Sequence, residues 1–381
     1  MNLLGTLMEA SLSGLWDSIV QTLTKTSLHN IFFLHLKFRL RANMATSENK
    51  QESGIEDLEE EMESLLSSEN YIIVDIGANL TNKKFTRDLD SVVSRARDAG
   101  VHKIMVTGTT VQSSKEALRL TRLYPESLYS TAGVHPHEAK SWEAETESEL
   151  RELLASQEVV AVGECGLDFN RNFSPQDIQL EVFEKQVSLA CELKKPLFIH
   201  ERDAHKEVLE VLGRHKERLP SVVIHCFTGD ATMAAAYLKQ GCYIGLTGYV
   251  WKDKSEDGVR RILEDGVVPL DRLLVETDSP FMYPNTRASK LPPYVKEALT
   301  ERSLTFLHRY CTFQRNEPCS LPVTIEMIAA YMKKKSEQVA LQTTFNALKF
   351  DALQFVILFC FSMKVSTLCS QTANQKLIIV V

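Results

Sequence analysis

Polar residues able to bind metal or move protons close a series of short apolar runs in this chain. Asp75 and Asn79 end "YIIVDIGAN", and His135 and His137 follow "LYSTAGV" in "GVHPH". Glu164 ends "VVAVGE", His200 and Arg202 end "PLFIHER", His225 ends "SVVIH" and Asp278 ends "RLLVETD". Two neutral imidazoles and two carboxylates make a ligand set for a divalent cation, hard enough for Mg²⁺ or Mn²⁺ and acceptable to Zn²⁺. Such a cation lowers the pKa of a coordinated water and polarises the oxygen under attack. Two of them stabilise both the attacking and the leaving oxygen of a phosphodiester. A carboxylate such as Asp278 can be both ligand and proton acceptor. Each residue alone has a plainer reading: His200 and His225 as hydrogen-bonded core histidines, Glu164 as a loop acid, "TDSP" as a turn. The ordered series favours the site. His137, His205 and His215 receive no role, the last two because they sit in polar helix-forming stretches that predict exposure.

The elements that must carry these residues form a regular alternation. The strand-like runs are "YIIVDI", "KIMVTG", "LYSTAGV", "VVAVGE", "PLFIHE", "SVVIHCF", "CYIGLTG" and "RLLVETD". Amphipathic windows such as "RDLDSVVSRARDAG", "SKEALRLTRLY", "LEVFEKQVSLACELK" and "HKEVLEVLGRHKER" separate them. Eight strand–helix repeats over ~250 residues predict a (β/α)₈ TIM barrel, whose strand C-terminal ends converge on one face. A doubly wound open sheet is the alternative, but the Gly-rich phosphate loop it usually carries after its first strand is missing. The predicted organisation is an N-terminal extension and acidic linker over 1–70, a barrel over 71–350 and a variant tail over 351–381. "MATS" at Met44 reads as an independent start, which makes residues 1–43 an optional extension.

Of 381 residues, 44% are hydrophobic and 24% charged, as in a soluble globular chain. A formal charge of −7 argues against a polyanion binder held by bulk electrostatics, though not against a local cationic rim. Eight scattered cysteines without CxxC pairs read as reduced thiols, hence a nuclear or cytoplasmic setting. No apolar run reaches the ~18–20 residues of a membrane span. Lys25, Lys37, Arg39 and Arg41 offer a mitochondrial presequence as a minor alternative, weakened by Glu9 and Asp17.

The motifs "VGECGLDFNRNF", "GVHPH", "IHERDAH", "IHCFTG", "YIGLTG", "ETDSP" and "RNEP" at 315–318 resemble the TatD family of metal-dependent deoxyribonucleases, over roughly Tyr71 to Phe350. The resemblance implies an amidohydrolase-like TIM barrel and Mg²⁺-dependent 3′→5′ exonuclease action on DNA, with single-stranded ends as substrate. It implies Glu164, His200, His225 and Asp278 as metal ligands, His135 beside the substrate phosphate, and substrate-binding positions at Arg202 and Arg315. Ester hydrolysis on D-aminoacyl-tRNA at the same site, and a non-catalytic nucleic-acid-binding barrel, remain as other readings.

Three departures stand out. The superfamily's His-x-His on the first strand is Gly77 and Asn79 here, which predicts one firmly held cation and a weaker second one near Asp75 and Asn79, favouring Mg²⁺ over Zn²⁺. Glu201 follows His200 where a small residue is common. A long segment after Asp278 carries Arg287, Lys290, Lys296, Arg302, Arg309 and Arg315, read either as a basic lip or as a solvated helix. Tyr249 and Trp251 are candidates for stacking on a base, against packing under their loop.

Overall fold

A computed structural model describes residues 72–253, 255–289 and 291–350. The expectations for residues 1–70, for Lys290 and for 351–381 lie outside the described residues, which all belong to the compact unit Leu65–Val381.

Eight parallel strands follow one another in sequence order around a single sheet. They are β1 (Ile73–Ala78), β2 (Val101–Val106), β3 (Leu128–Ala132), β4 (Val159–Asp168), β5 (Leu197–Arg202), β6 (Val222–Ile224), β7 (Tyr243–Leu246) and β8 (Leu273–Val275). All eight were legible as apolar runs, because strands buried on both faces read as continuous hydrophobic stretches. The sheet closes through the residues just past β8. Asp278 N donates to Gly77 O (2.8 Å), Asn79 N donates to Ser279 O (2.7 Å), and Ala78 bridges Ser279.

The helices are α1 (Leu89–Asp98), α2 (Val111–Leu123), α3 (Thr146–Leu154), α4 (Gln176–Leu193), α5 (His205–Arg214), α6 (Ala231–Lys239) and α7 (Val259–Glu264). After β8 come α8 (Pro293–Glu297), α9 (Glu301–Tyr310), α10 (Leu321–Tyr331) and α11 (Ser336–Phe350). Local chemistry starts several of them. Thr110 and Ser113 form a capping box at α2, Asp230 accepts from Met233 N at α6, and Thr300 accepts from Ser303 N at α9.

Two apolar clusters divide the core. The larger lies between strands and helices, while Val74, Ile76, Met105, Val160, Phe198, Val223 and Leu274 form a separate one. With Ala161 and Tyr243, that second set draws on seven of the strands and matches the packed side-chain layers of a barrel interior. Ala347 and Phe350 of α11 join it, so α11 plugs one end. Its Asn346 Nδ2 donates to Leu270 O and Leu273 O (2.8 Å each), and Thr344 Oγ1 donates to Ile72 O (2.7 Å). These contacts lie at the N-terminal ends of β8 and β1, leaving the C-terminal face for chemistry. Among the described residues no helix is long and apolar enough to cross a membrane.

Candidate active site

Glu164 is the centre of the C-terminal face. Its Oε1 lies 2.9 Å from His225 Nε2, 3.2 Å from His200 Nδ1 and 3.2 Å from His135 Nε2. The strands converge because backbone bonds tie them just below these side chains. Glu164 N donates to Gly108 O (2.7 Å), His135 N to Thr109 O (2.9 Å) and His225 N to Ile199 O (2.9 Å). Gly163 has φ +147°, and a Cβ there would stand 2.3 Å from the Phe198 carbonyl oxygen, so only glycine lets β4 approach β5 ahead of Glu164.

A second layer orients the first. Glu276 is fully buried; its Oε2 lies 3.2 Å from His225 Nδ1 and its Oε1 accepts from Cys226 N (2.6 Å). Asp168 Oδ2 lies 2.6 Å from His137 Nε2 and 3.4 Å from His200 Nε2, while its Oδ1 accepts from the amides of Asn170 and Arg171. Asn79 Nδ2 donates to Asp278 Oδ1 at 2.9 Å. Carboxylates behind histidines fix the imidazole tautomer and raise its basicity, as they do around many metals.

The electrostatics follow from this crowding. Burial pushes the Glu164 carboxyl up, but the charges of His225 and His135 outweigh it and hold Glu164 well below the usual carboxylate range. Burial disfavours the charged form of His225 and His200. Glu164 and Glu276 override it for the first, and Asp168 with Glu164 for the second, so both are raised. At His135 burial wins and its pKa falls. Burial also lifts Asp278 to about 8, with the nearby Glu164 and Glu276 charges adding to the rise against His225 and Asn79. A pocket with this many carboxylates calls for positive charge.

The donor set fits a divalent cation. Ligand atoms of His135, Glu164 and His200 all lie within 4.8 Å of one another. His200 Nε2 is buried and makes no hydrogen bond of good geometry, its nearest carboxylate oxygen being Asp168 Oδ2 at 3.4 Å. His225 Nε2 and Asp278 border the same space.

The structure brings Glu164, His200, His225 and His135 together and sets Asp278 beside them. His135 stands among the ligand candidates, not only at a phosphate position. Asp75 is different: Oδ1 accepts from Thr277 N (2.9 Å) and Gly77 N (3.2 Å), and Oδ2 from Thr277 Oγ1 (2.5 Å). Both oxygens are thus committed to the β1–β8 seam, which does not match a weak second cation at Asp75. Asn79 acts on Asp278 through its amide nitrogen.

Arg202 is exposed at the end of β5. The expected substrate-facing role for Arg315 does not match its placement. The guanidinium bonds Asp88 Oδ1 (2.7 Å), Glu317 Oε1 and Lys84 O, and lies over the Phe85 ring. Arg302 donates to Asp98 O at the C-terminal end of α1, beside the start of β2, which removes it from any lip over the site. Trp251 packs under its loop, with Nε1 donating to Tyr283 O.

Glu276, Asp168 and His137 are the residues that sequence reasoning missed. Glu276 and Asp168 stand inside the quoted motifs "ETDSP" and "VGECGLDF", but no local pattern separates an orienting carboxylate from a liganding one. The exposure expected for His205 and His215 is also corrected. His215 is 8% exposed and bonds Glu184, and His205 is set edge-on to Tyr237, its Nδ1 buried. Polar sequence neighbours hid the faces that these helices turn inward.

A parallel eight-stranded barrel with histidines and carboxylates converging at its strand ends defines a TIM-barrel hydrolase. The pattern of the family described as TatD related DNase matches residues 74–350, and the chain belongs to that family. A protein named 3′-5′ ssDNA/RNA exonuclease TatD from Erwinia tasmaniensis is 39% identical over 273 residues, covering 72% of this chain and 97% of its own length. A protein of the same name from a Pantoea species is 41% identical over 273 residues, covering 72% and 96%. The crystal structure of a TatD family hydrolase from Entamoeba histolytica shares the fold, with a TM-score of 0.65 and 24% identity over 74% of this chain and 99% of its own.

Proposed function

We propose that this nuclease hydrolyses single-stranded DNA from the 3′ end, using a divalent cation held by Glu164, His200, His135 and His225 with Asp278 at its border. The single observation carrying the reading is the Glu164 Oε1 atom, ringed by three imidazole nitrogens at 2.9–3.2 Å on the face where barrel enzymes work. The names of the bacterial relatives support the direction and the strand state of the substrate. When bound, such a cation supplies Lewis acidity and a lowered water pKa. Mg²⁺ is the proposed ion on the strength of the family resemblance, and Mn²⁺ and Zn²⁺ are its competitors, since three imidazoles stand beside the carboxylates in the donor set.

The chain's own residues divide the work. Glu276 fixes the His225 ring from Nδ1, and Asp168 fixes His137 and borders His200. Asn79 aims Asp278, whose carboxylate, ionised when a cation sits beside it, would take the proton of the attacking water. The new P–O bond forms as the bond from phosphorus to the penultimate 3′ oxygen breaks, and that oxygen leaves as a hydroxyl on taking up the proton that Asp278 has received. Arg202, exposed beside the site, provides a cation for the strand's phosphates.

Glu164→Gln is expected to abolish Mg²⁺-dependent nucleotide release while leaving the folded circular dichroism spectrum intact. Wild-type release by that variant would overturn the site. Free amino acid released from D-aminoacyl-tRNA, with its terminal nucleotides kept, would overturn the substrate. A nuclear or cytoplasmic location is proposed with it. Six free cysteines among the described residues support that, and imaging of the tagged full chain would test it.

A further inference from the structure

We infer that Phe173 is a stacking platform for one nucleobase of the bound strand, a role that rests on the nuclease reading above. Phe173 is 58% exposed, yet it belongs to the face of the active site. Its ring meets His137 edge-on at 4.7 Å, and His137 in turn lies 4.3 Å from His135, centroid to centroid. One imidazole therefore separates this ring from the cluster around Glu164.

An exposed phenylalanine on a soft loop would fold down onto its surroundings. Here the loop after β4 is held on several sides. Asp168 Oδ1 accepts from the amides of Asn170 and Arg171, and Asn170 Nδ2 donates to Asp203 Oδ2 (2.6 Å). Asn172, at φ +48°, donates through Nδ2 to Phe169 O. Beyond the ring, Lys140 Nζ donates to Phe173 O (3.1 Å). Ser174 Oγ accepts from Lys140 N and donates to His137 O (2.8 Å). The backbone carrying Phe173 is thus held at the mouth, and the apolar ring stands in water against His137, which is the arrangement a sequence-tolerant base platform requires. Phe313 is more exposed, at 63%, but its ring packs on Tyr283 and Trp251. A base is favoured over a protein side chain as occupant because a single imidazole separates the ring from the cluster proposed to hold the cation at the scissile phosphate.

The test compares wild type, Phe173→Ala and Phe173→Trp on single-stranded oligonucleotides. Each carries an abasic residue at one of the last few 3′ positions, or none. Nucleotide release with Mg²⁺ and binding by fluorescence anisotropy are both measured. Phe173→Ala should raise KM and Kd about 5- to 100-fold on the fully based strand, with kcat nearly unchanged. At one abasic position the wild type should fall to the variant's level and the variant should lose nothing further. Phe173→Trp should restore binding. Unchanged affinity in Phe173→Ala, or an equal loss at every abasic position, would overturn the platform. Absence of nucleotide release by the wild type would instead overturn the nuclease reading. In that case position-specific binding losses still uphold Phe173, and their absence overturns it.

Discussion

Gly77 shows how one residue sets the character of the site. A Cβ at this position would stand 2.2 Å from Glu276 Oε2 and 3.0 Å from the Phe198 ring. The space that a first-strand histidine would fill is taken by the buried carboxylate that orients His225. Gly77→His should therefore unseat Glu276, lowering the unfolding free energy by at least ~1–3 kcal/mol by overpacking and reducing activity, not enhancing it. Thermal unfolding and nucleotide release check both. Glu276→Gln keeps the volume and removes the charge behind His225. A 10- to 100-fold loss of metal affinity is expected, read by titrating Mn²⁺ into the protein.

Among the elements, the β2–α2 loop carries no candidate ligand, yet Gly108 O and Thr109 O receive the amides of Glu164 and His135. The Thr110–Ser113 capping box anchors this loop to α2. Thr110→Ala should cost about 1 kcal/mol in a denaturant titration and should also lower activity, since the two side chains share this support. At the other end of the barrel, Asn346→Ala removes the side-chain donor from the buried Leu273 carbonyl and from the Leu270 carbonyl, which keeps its bond from Leu273 N. Stability should drop by about 1–3 kcal/mol with little change in kcat, because α11 plugs the face remote from the site.

For the molecule as a whole, pH and salt report on buried and net charge. Asp75 is fully buried, and burial raises its pKa from 3.8 to about 7 against the bonds from Thr277 and Gly77. Between these values the unfolded chain has released its proton and the folded chain has kept it. The contribution to stability is complete below about pH 3.8 and is lost as pH rises through about 7. Asp75→Asn should flatten that part of the stability–pH curve relative to wild type, as measured by urea unfolding at successive pH values. A chain of net charge −7 gripping only a strand end should show a shallow salt dependence, with a log–log slope of about −1 to −3.

The sequence by itself determined the eight strands, their order and the polar residues ending them. Strands buried on both faces have to be apolar throughout, so a polar residue closing each run is visible against that background. Glu164, His200 and His225 could be picked out for this reason. The division of labour among the carboxylates was decided only by the tertiary structure. Asp75, Asp168, Glu276 and Asp278 look alike in sequence, but the closure of β8 onto β1 turns Asp75 toward Thr277 and wedges Glu276 behind His225. Likewise Arg315, a free cation on paper, meets Asp88 from a distant part of the chain as well as its near neighbour Glu317. Partners separated by some 200 positions leave no local periodicity, and it is their meeting that decides which group binds, which orients and which only holds the barrel closed.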